Sequence, residues 1–416
     1  MTASPLTRAD CAALDAADPL AAKRGEFALP EGVIYLDGNS LGALPKRVTA
    51  RMRAAVEQEW GTGLIRSWND AGWYPAPQRT GAAIARLIGA KADEVVVCDS
   101  TSVNLYKLLR GALHMRAGRG TVVTETGNFP TDGYISQQVA DETGARLVAA
   151  APDDIPAAIA RAGDDLAVVH LTQVNYRTGA LYDMAAITRA AHDAGALVIW
   201  DLCHSAGTIP VDLNGCEADF AVGCGYKYLN GGPGAPSFVF VANRHQAGFR
   251  QPIAGWHGHA QPFAFGEDYT PAPGIARMLT GTAPQLGLIA LEEALHVFDD
   301  VDMQALREKG QALGDLFIAL VEQECAGHGF GLASPRDAAR RGSQVALTHP
   351  DGYAIMQALI ARGVIGDFRA PDILRFGFAG LYVRFADIRD AVATLREVMD
   401  GRLWDRPEYH ARKAVT

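Results

Sequence analysis

The sequence has few of the features that would place a protein at a membrane or on nucleic acid. No uninterrupted apolar run approaches the roughly 18 residues that a membrane-spanning helix needs. No dense run of lysine and arginine is present, and the formal net charge is −9, so nucleic acid and anionic membranes are unfavourable partners. The N-terminal stretch MTASPLTRADCAALDAADPL lacks the apolar segment of a secretory signal. We therefore predict a cytoplasmic protein.

Cysteine is also sparse. No CxxC pair occurs, and no cysteine has the spacing with histidine that is typical of a metal site. The pattern predicts reduced thiols that pack as small apolar side chains, and no bound metal. The cysteines are Cys11, Cys98, Cys203, Cys216, Cys224 and Cys325.

Length and pattern together predict two domains. A chain of 416 residues is long for one simple core. We expect a large domain over residues 46–285, and a smaller α+β domain that combines residues 1–45 with 286–416. The helical periodicity that follows residue 285 predicts one connecting helix between them.

Short apolar runs alternate with helix-like segments between residues 94 and 242. Continuous apolar strands are typical of a parallel sheet that is buried on both faces. We predict an α/β domain with a mostly parallel, seven-stranded sheet flanked by helices. Ligand sites in such sheets lie outside the carboxyl ends of the strands. The runs are EVVVCDS, TVVTET, ARLVAA, LAVVHLT, ALVIWDL, DFAVGCG and SFVFVA.

Two neighbouring strand ends carry a carboxylate and an amine. Asp201 ends the run ALVIWD, and Lys227 follows DFAVGCGY. Taken alone, Asp201 is explained by helix capping and Lys227 by a solvated surface charge. Together they would present opposite charges to one cleft, and the turn GGPG after Lys227 lets the backbone approach a ligand.

Hydroxyl groups and an aromatic ring follow two other strands. A strand is followed by Ser100, Thr101 and Ser102 and then by a helical pattern. The N-terminus of a helix that carries hydroxyl groups suits a phosphate. Simple capping explains these hydroxyls equally well. Phe129 follows another strand, where its ring could stack on a planar ligand or belong to the core.

An amine, a carboxylate, a phosphate cradle and a stacking ring match one cofactor, pyridoxal 5'-phosphate (PLP). Lys227 would form the Schiff base, and Asp201 would pair with the pyridinium nitrogen. The hydroxyl cluster would hold the phosphate, and Phe129 would cover the ring.

Eight motifs, in order, resemble those of kynureninase, a PLP enzyme of the type I fold. The resemblance spans essentially the whole chain and implies the hydrolysis of L-kynurenine to anthranilate and L-alanine in tryptophan catabolism. 3-Hydroxykynurenine is an alternative substrate. The motifs are YLDGNSLG, NFPTD, VNYRTG, WDLCHSAG, YKYLNGGPG, GWHGH, RGSQ and GVIGDFR...LRFGF.

The resemblance also implies roles for particular residues. Lys227, Tyr226 and Asp201 would be catalytic, with Tyr226 as the acid/base at the substrate carbonyl. Arg375 would bind the substrate α-carboxylate, because a guanidinium fork suits two oxygens. Ser40, Trp68 and His257 are candidates for the rest of the substrate pocket. Residues implied to bind the cofactor are Thr101, Ser102, Phe129, Asp132, Thr172, Asp201, His204, Tyr226, Lys227, Trp256 and Thr282.

The resemblance further implies a homodimer, in which Trp256 and Thr282 reach the phosphate of the partner's site. Other functions remain open at this point. A cysteine desulfurase would share the fold but needs a nucleophilic cysteine shortly before Arg375, where the chain offers only the distant Cys325. An aminotransferase or a binding protein that has lost catalysis would keep the same residues. A nicotinamide dehydrogenase is disfavoured, since no GxGxxG opens the first βα unit.

Overall fold

The computed structural model describes residues 6–412, so residues 1–5 and 413–416 of the predicted small domain lie outside the described residues. Its strands are β1 (Ile34–Tyr35), β2 (Val95–Val97), β3 (Thr121–Glu125), β4 (Arg146–Ala150), β5 (Leu166–Thr172), β6 (Leu197–Asp201), β7 (Phe220–Cys224), β8 (Ser237–Val241), β9 (Gly331–Leu332), β10 (Gln344–Thr348), β11 (Val364–Ile365), β12 (Asp367–Arg369) and β13 (Ile373–Gly377).

The α-helices of the described residues are distributed along the whole chain. A π-helical segment, Ala55–Gly63, continues α2. The helices are α1 (Arg8–Ala17), α2 (Lys46–Ala54), α3 (Ser67–Asp70), α4 (Ala76–Leu87), α5 (Thr101–Met115), α6 (Pro130–Thr143), α7 (Ile155–Ala162), α8 (Met184–Asp193), α9 (Asn243–Gln246), α10 (Gln285–Leu295), α11 (Met303–Glu324), α12 (Gly352–Ile360), α13 (Phe385–Asp400) and α14 (Pro407–His410).

The seven predicted strands form one sheet in the order β2-β8-β7-β6-β5-β3-β4. β8 is antiparallel to both of its neighbours, and the other pairs are parallel. Helices such as α5 and α8 cover the sheet, and β5 to β8 are buried at every position. This burial explains why the strands read as continuous apolar runs, and the predicted fold class is confirmed.

A second sheet has the order β12-β13-β10-β9 and is antiparallel throughout. Its register places Asp367 opposite Arg375, and Gln344 opposite Gly377. β1 pairs with β11 in parallel, so the N-terminal segment joins the C-terminal part of the chain. That pairing supports our proposed grouping of residues 1–45 with 286–416.

The region after residue 285 differs from the prediction of one connecting helix. α10 ends at Leu295, and α11 begins at Met303. The side chain of Asp302 caps α11 by accepting a hydrogen bond from Gln304 N at 2.8 Å. Because capping favours a new helix start, the apolar periodicity continues while the helix itself is broken. Between residues 6 and 412, no helix has the length and apolar character needed to span a membrane.

Candidate active site

Nine of the predicted cofactor residues line one cavity of about 150 Å³ at the carboxyl edge of the large sheet. A larger cleft of about 940 Å³ shares no residue with it, and its lining includes Glu125, Arg177 and Arg340 but no lysine. The smaller cavity is therefore the candidate active site. The lining residues are Thr101, Ser102, Phe129, Thr131, Asp132, Thr172, Tyr176, Asp201, Cys203, His204, Tyr226 and Lys227.

Sheet register brings the carboxylate and the amine together. Asp201 is the last residue of β6 and pairs with Val222 of β7, and Lys227 lies three residues after the end of β7 at Cys224. Lys227 Nζ lies 5.9 Å from the centre of the Phe129 ring. Gly42 N donates to Tyr226 O at 2.8 Å, and a Cβ at Gly42 would lie 2.2 Å from Lys227 O. Glycine at this position thus lets the N-terminal segment pack against the backbone of Lys227.

Two acidic side chains, Asp132 and Asp201, lie side by side in the cavity. Burial and the neighbouring Asp201 carboxylate raise the pKa of Asp132 well above its ordinary value. Asp201 Oδ1 accepts a hydrogen bond from Cys203 N at 2.6 Å. Behind Asp132, burial lowers the pKa of His170 to about 4. Burial thus favours the neutral form of Asp132, and the carboxyl group at the end of β6 is of the kind that can bind a cationic nitrogen.

The residues predicted to bind phosphate lie at the N-terminus of α5, where one hydroxyl caps the helix and two others line the cavity. Ser100 is the N-cap of α5, and its Oγ accepts from Val103 N at 3.4 Å. The capping alternative therefore explains Ser100. Thr101 and Ser102, one and two residues further on, line the cavity at the start of α5. A helix N-terminus with two hydroxyls fits a phosphate dianion.

Tyr226 is suited to donate a proton. Repulsion from the Cys224 sulfur and burial raise the pKa of Tyr226 above its ordinary value. Its hydroxyl therefore keeps its proton at neutral pH and can act as a donor in the cavity.

Arg375 lies beside this cavity in a network of charged groups. It is 1% exposed. Its Nε donates to Asp367 Oδ1 at 2.7 Å, and its Nη2 donates to Asp367 Oδ2 and, at 3.2 Å, to Ser40 Oγ. Nη1 donates to Tyr176 O at 2.7 Å. Asp367 thus holds Nε and Nη2, while Nη1 lies on the other side of the guanidinium and faces Tyr176 O.

Two further charged residues belong to the Arg375 network. Arg369 Nη2 lies 2.8 Å from Asp367 Oδ2. Burial and the Asp367 carboxylate raise the pKa of Asp37 to about 7, and Asp37 Oδ1 has no hydrogen-bond partner. The network therefore gains a net positive charge when Asp37 is protonated.

The remaining predicted residues lie outside the cavity. Trp68, Trp256 and His257 form an aromatic cluster, in which the rings of Trp256 and His257 stack at 4.9 Å and Trp68 lies 6.4 Å from Trp256. His257 is buried and neither of its ring nitrogens has a hydrogen-bond partner. Thr282 is exposed. None of these residues lines the cavity around Lys227.

Thr131 and Cys203 line the cavity but were not predicted as site residues. Two further residues of the site, Tyr176 and Gln344, were also missed. Tyr176 lines the cavity, and its ring packs edge-on against Phe129 at 5.3 Å. Gln344 approaches His204 Nδ1 with its Oε1 at 3.1 Å. Both residues lie in quoted motifs, VNYRTG and RGSQ. The signal was therefore present, but nothing in either motif showed that it faces the strand ends of the large sheet.

Sequence comparisons match the chain to a family model and to relatives that carry the same family name. A family model described as "Kynureninase C-terminal domain" matches residues 306–395. A protein from Burkholderia mallei (strain SAVP1) named "Kynureninase" is 53% identical, and the match covers 99% of this chain and 100% of that protein. A "Kynureninase" from Pseudomonas fluorescens is 52% identical with the same coverage.

Solved structures share the fold at lower sequence identity. A cysteine desulfurase from Thermococcus onnurineus NA1, described as an apo structure, matches with a TM-score of 0.76 at 19% identity, covering 91% of this chain and 97% of that one. A lysine-to-alanine mutant of C-DES, with glycine covalently linked to its PLP cofactor, gives a TM-score of 0.79 at 17% identity. That match covers 90% of this chain and 99% of the other.

Proposed function

The chain belongs to the kynureninase family, and on this premise we propose that it is a PLP-dependent hydrolase. The reaction is cleavage of the Cβ–Cγ bond of L-kynurenine to give anthranilate and L-alanine, as a step of tryptophan catabolism in the cytoplasm. The observation that carries the proposal is the placement of Lys227, Asp201 and Tyr226 in one cavity. 3-Hydroxykynurenine is the alternative substrate.

The residues of the cavity fit PLP in kind and in order. Thr101 and Ser102 suit the phosphate, Phe129 the face of the ring, and Asp201 a protonated ring nitrogen. Within residues 6–412, Lys227 Nζ makes no hydrogen bond, so the amine is available. When bound, PLP supplies an aldehyde that links to an amine and a pyridinium that withdraws electrons.

Proton transfer is divided between two neighbouring side chains. Lys227 removes the proton from the substrate Cα and later returns one, because its flexible chain can reach both positions. Tyr226 donates its hydroxyl proton at the γ-carbonyl, where oxygen gains negative charge as water adds. Asp201 holds the proton on the ring nitrogen through a charge-assisted hydrogen bond.

Arg375 binds the substrate α-carboxylate through Nη1, the terminal guanidinium nitrogen that donates to Tyr176 O rather than to Asp367. Asp367 and the carbonyl of Tyr176 fix the guanidinium plane, so the substrate is oriented as well as bound. This anchoring directs the amino acid portion towards Lys227. Ser40, Trp68 and His257 are our proposal for the aryl side of the pocket.

A homodimer with shared sites is proposed as well. Trp256 and Thr282 lie outside the cavity of their own chain and are both solvent-accessible, Trp256 at 38% exposure. Large apolar side chains are exposed nearby in the sequence, including Phe263 and Phe265. Such exposure is unusual in a monomer and typical of an interface.

The first prediction concerns the reaction itself. Purified protein loaded with PLP should convert L-kynurenine to anthranilate and L-alanine in equal amounts, measured by anthranilate fluorescence and by chromatography of alanine. Lys227→Ala is the matched negative control, because it removes the amine and leaves the cavity. Alanine without anthranilate, or transamination products alone, would contradict the proposal.

The second prediction concerns Tyr226. Tyr226→Phe removes the donor hydroxyl and keeps the ring, so kcat should fall by roughly 10² to 10⁴, the usual contribution of general acid catalysis. Absorption spectra of the bound cofactor should show that the variant retains PLP. Turnover within a few-fold of wild type, with cofactor retained, would remove Tyr226 from this role.

The third prediction is a pH dependence that Asp37 controls. Above pH 7 the ionised Asp37 cancels the net positive charge of the Arg375 network, so KM for the substrate should rise as pH increases from 6 to 8. Asp37→Asn keeps the network positive, and KM at pH 8 should then be lower than in wild type by up to about tenfold. Profiles of KM against pH that run parallel in the two proteins would refute this role.

The fourth prediction tests the shared sites. Co-expressed Lys227→Ala and Trp256→Ala chains should form hybrid dimers with one intact site. With random pairing, half of the dimers are hybrids with one intact site each, which gives about a quarter of wild-type activity. If Trp256 serves the site of its own chain, every site is defective and mixing restores nothing beyond the activity of the two single variants.

A further inference from the structure

Gln344 is a buried glutamine at the start of β10 that contacts two parts of the site. It is 1% exposed. Its Nε2 donates to Tyr176 O at 3.0 Å, and its Oε1 lies 3.1 Å from His204 Nδ1. A side chain of the four-stranded sheet therefore touches both a histidine of the cofactor cavity and the loop that contacts Arg375.

The partners of Gln344 determine its orientation. Tyr176 O is a backbone carbonyl and can only accept hydrogen bonds, so it must face the amino group of the amide. The reversed amide would place two oxygens 3.0 Å apart without a hydrogen between them. Arg375 Nη1 donates to the same carbonyl at 2.7 Å, which confirms its role as an acceptor. Gln344 Oε1 must then face His204.

The orientation of the amide determines the tautomer of His204. An amide oxygen accepts and does not donate, so His204 Nδ1 must carry the proton. His204 is 4% exposed, and burial together with the charges of Lys227 and Arg375 lowers its pKa well below the ordinary value. The ring is therefore neutral, and with the proton on Nδ1 its Nε2 is an unprotonated acceptor.

We propose that Gln344 is a positioning residue that holds His204 as the neutral Nδ1–H tautomer, leaving Nε2 as an acceptor for an N–H or O–H donor in the cofactor cavity. Only the identity of that donor, on cofactor or substrate, rests on the proposed function. The tautomer itself follows from the contacts of this chain.

The opposite tautomer would change the polarity of the cavity. An Nε2–H group would be a second donor close to the Lys227 ammonium, and Gln344 Oε1 would face the unprotonated Nδ1. Two acceptors 3.1 Å apart in a buried site are unfavourable. Gln344 thus excludes that tautomer, although it does not itself line the cavity.

The test is direct observation of the histidine ring nitrogens by NMR. Protein labelled with ¹⁵N-histidine, without cofactor, is compared at pH 7.5 with His204→Asn to assign the His204 signals. Wild type should show a protonated Nδ1 and an unprotonated Nε2 at His204. Gln344→Leu should lose this pattern. In Gln344→Glu, the added carboxylate should make His204 titrate at a higher pH than in wild type.

Gln246 supplies the matched control. It is also a buried glutamine, 7% exposed, whose Nε2 donates to two backbone carbonyls, Asp93 O at 2.9 Å and Val241 O at 3.0 Å. Gln246→Leu should leave the His204 signals unchanged. PLP affinity should fall by about tenfold in Gln344→Leu and by less than twofold in the control.

An Nε2–H or doubly protonated His204 in wild type, or an unchanged tautomer in Gln344→Leu, would overturn the proposal. If Gln344→Leu fails to fold, Gln344→Glu decides, because a His204 that titrates there as in wild type would also overturn the proposal. If wild type has the expected tautomer but does not cleave kynurenine, the proposed function fails and the role of Gln344 stands.

Discussion

The site depends on an amine held near two buried carboxyl groups. Lys227 follows β7, Asp201 ends β6, and Asp132 lies 2% exposed in the same cavity. Two buried carboxylates would repel each other, and burial together with the Asp201 carboxylate raises the pKa of Asp132 well above its ordinary value. The neutral form of Asp132 is therefore favoured, which limits the repulsion between the two carboxyl groups beside Lys227.

The arrangement of the site also depends on the backbone carbonyl of Tyr176. It accepts from Arg375 of β13 and from Gln344 of β10, two neighbouring antiparallel strands of the smaller sheet. The loop that contains Tyr176 follows β5 of the large sheet. A loop carbonyl that accepts from two long side chains thus joins the sheet that carries Lys227 to the sheet that carries Arg375. Displacement of this loop would disturb the cavity and the position of Arg375 together.

Sequence patterns predicted the features that are determined by residues close together in the chain. Buried strands read as apolar runs because both faces of a parallel sheet are covered, and polar residues after them indicated the correct edge. The contact between His204 and Gln344 was not predictable in this way, because 140 positions separate the two residues. The helix after residue 285 was predicted without its break, since periodicity continues through the capping residue Asp302. The assignments of Trp256 and Thr282 depend on a second chain and stay predictions.

The fold alone does not determine the reaction, since the cysteine desulfurase from Thermococcus onnurineus NA1 shares it at a TM-score of 0.76. That reaction needs a mobile thiolate on the substrate side of the cofactor. Cys325 is the C-cap residue of α11, it is 3% exposed, and burial raises its pKa to about 12. Such a thiol is neither mobile nor ionised. Cys203 N donates to Asp201 Oδ1, and Cys224 ends β7, so neither cysteine lies shortly before Arg375. Under the proposed function, Tyr226 beside Lys227 donates a proton at the substrate carbonyl, so side chains rather than the fold would separate the two reactions.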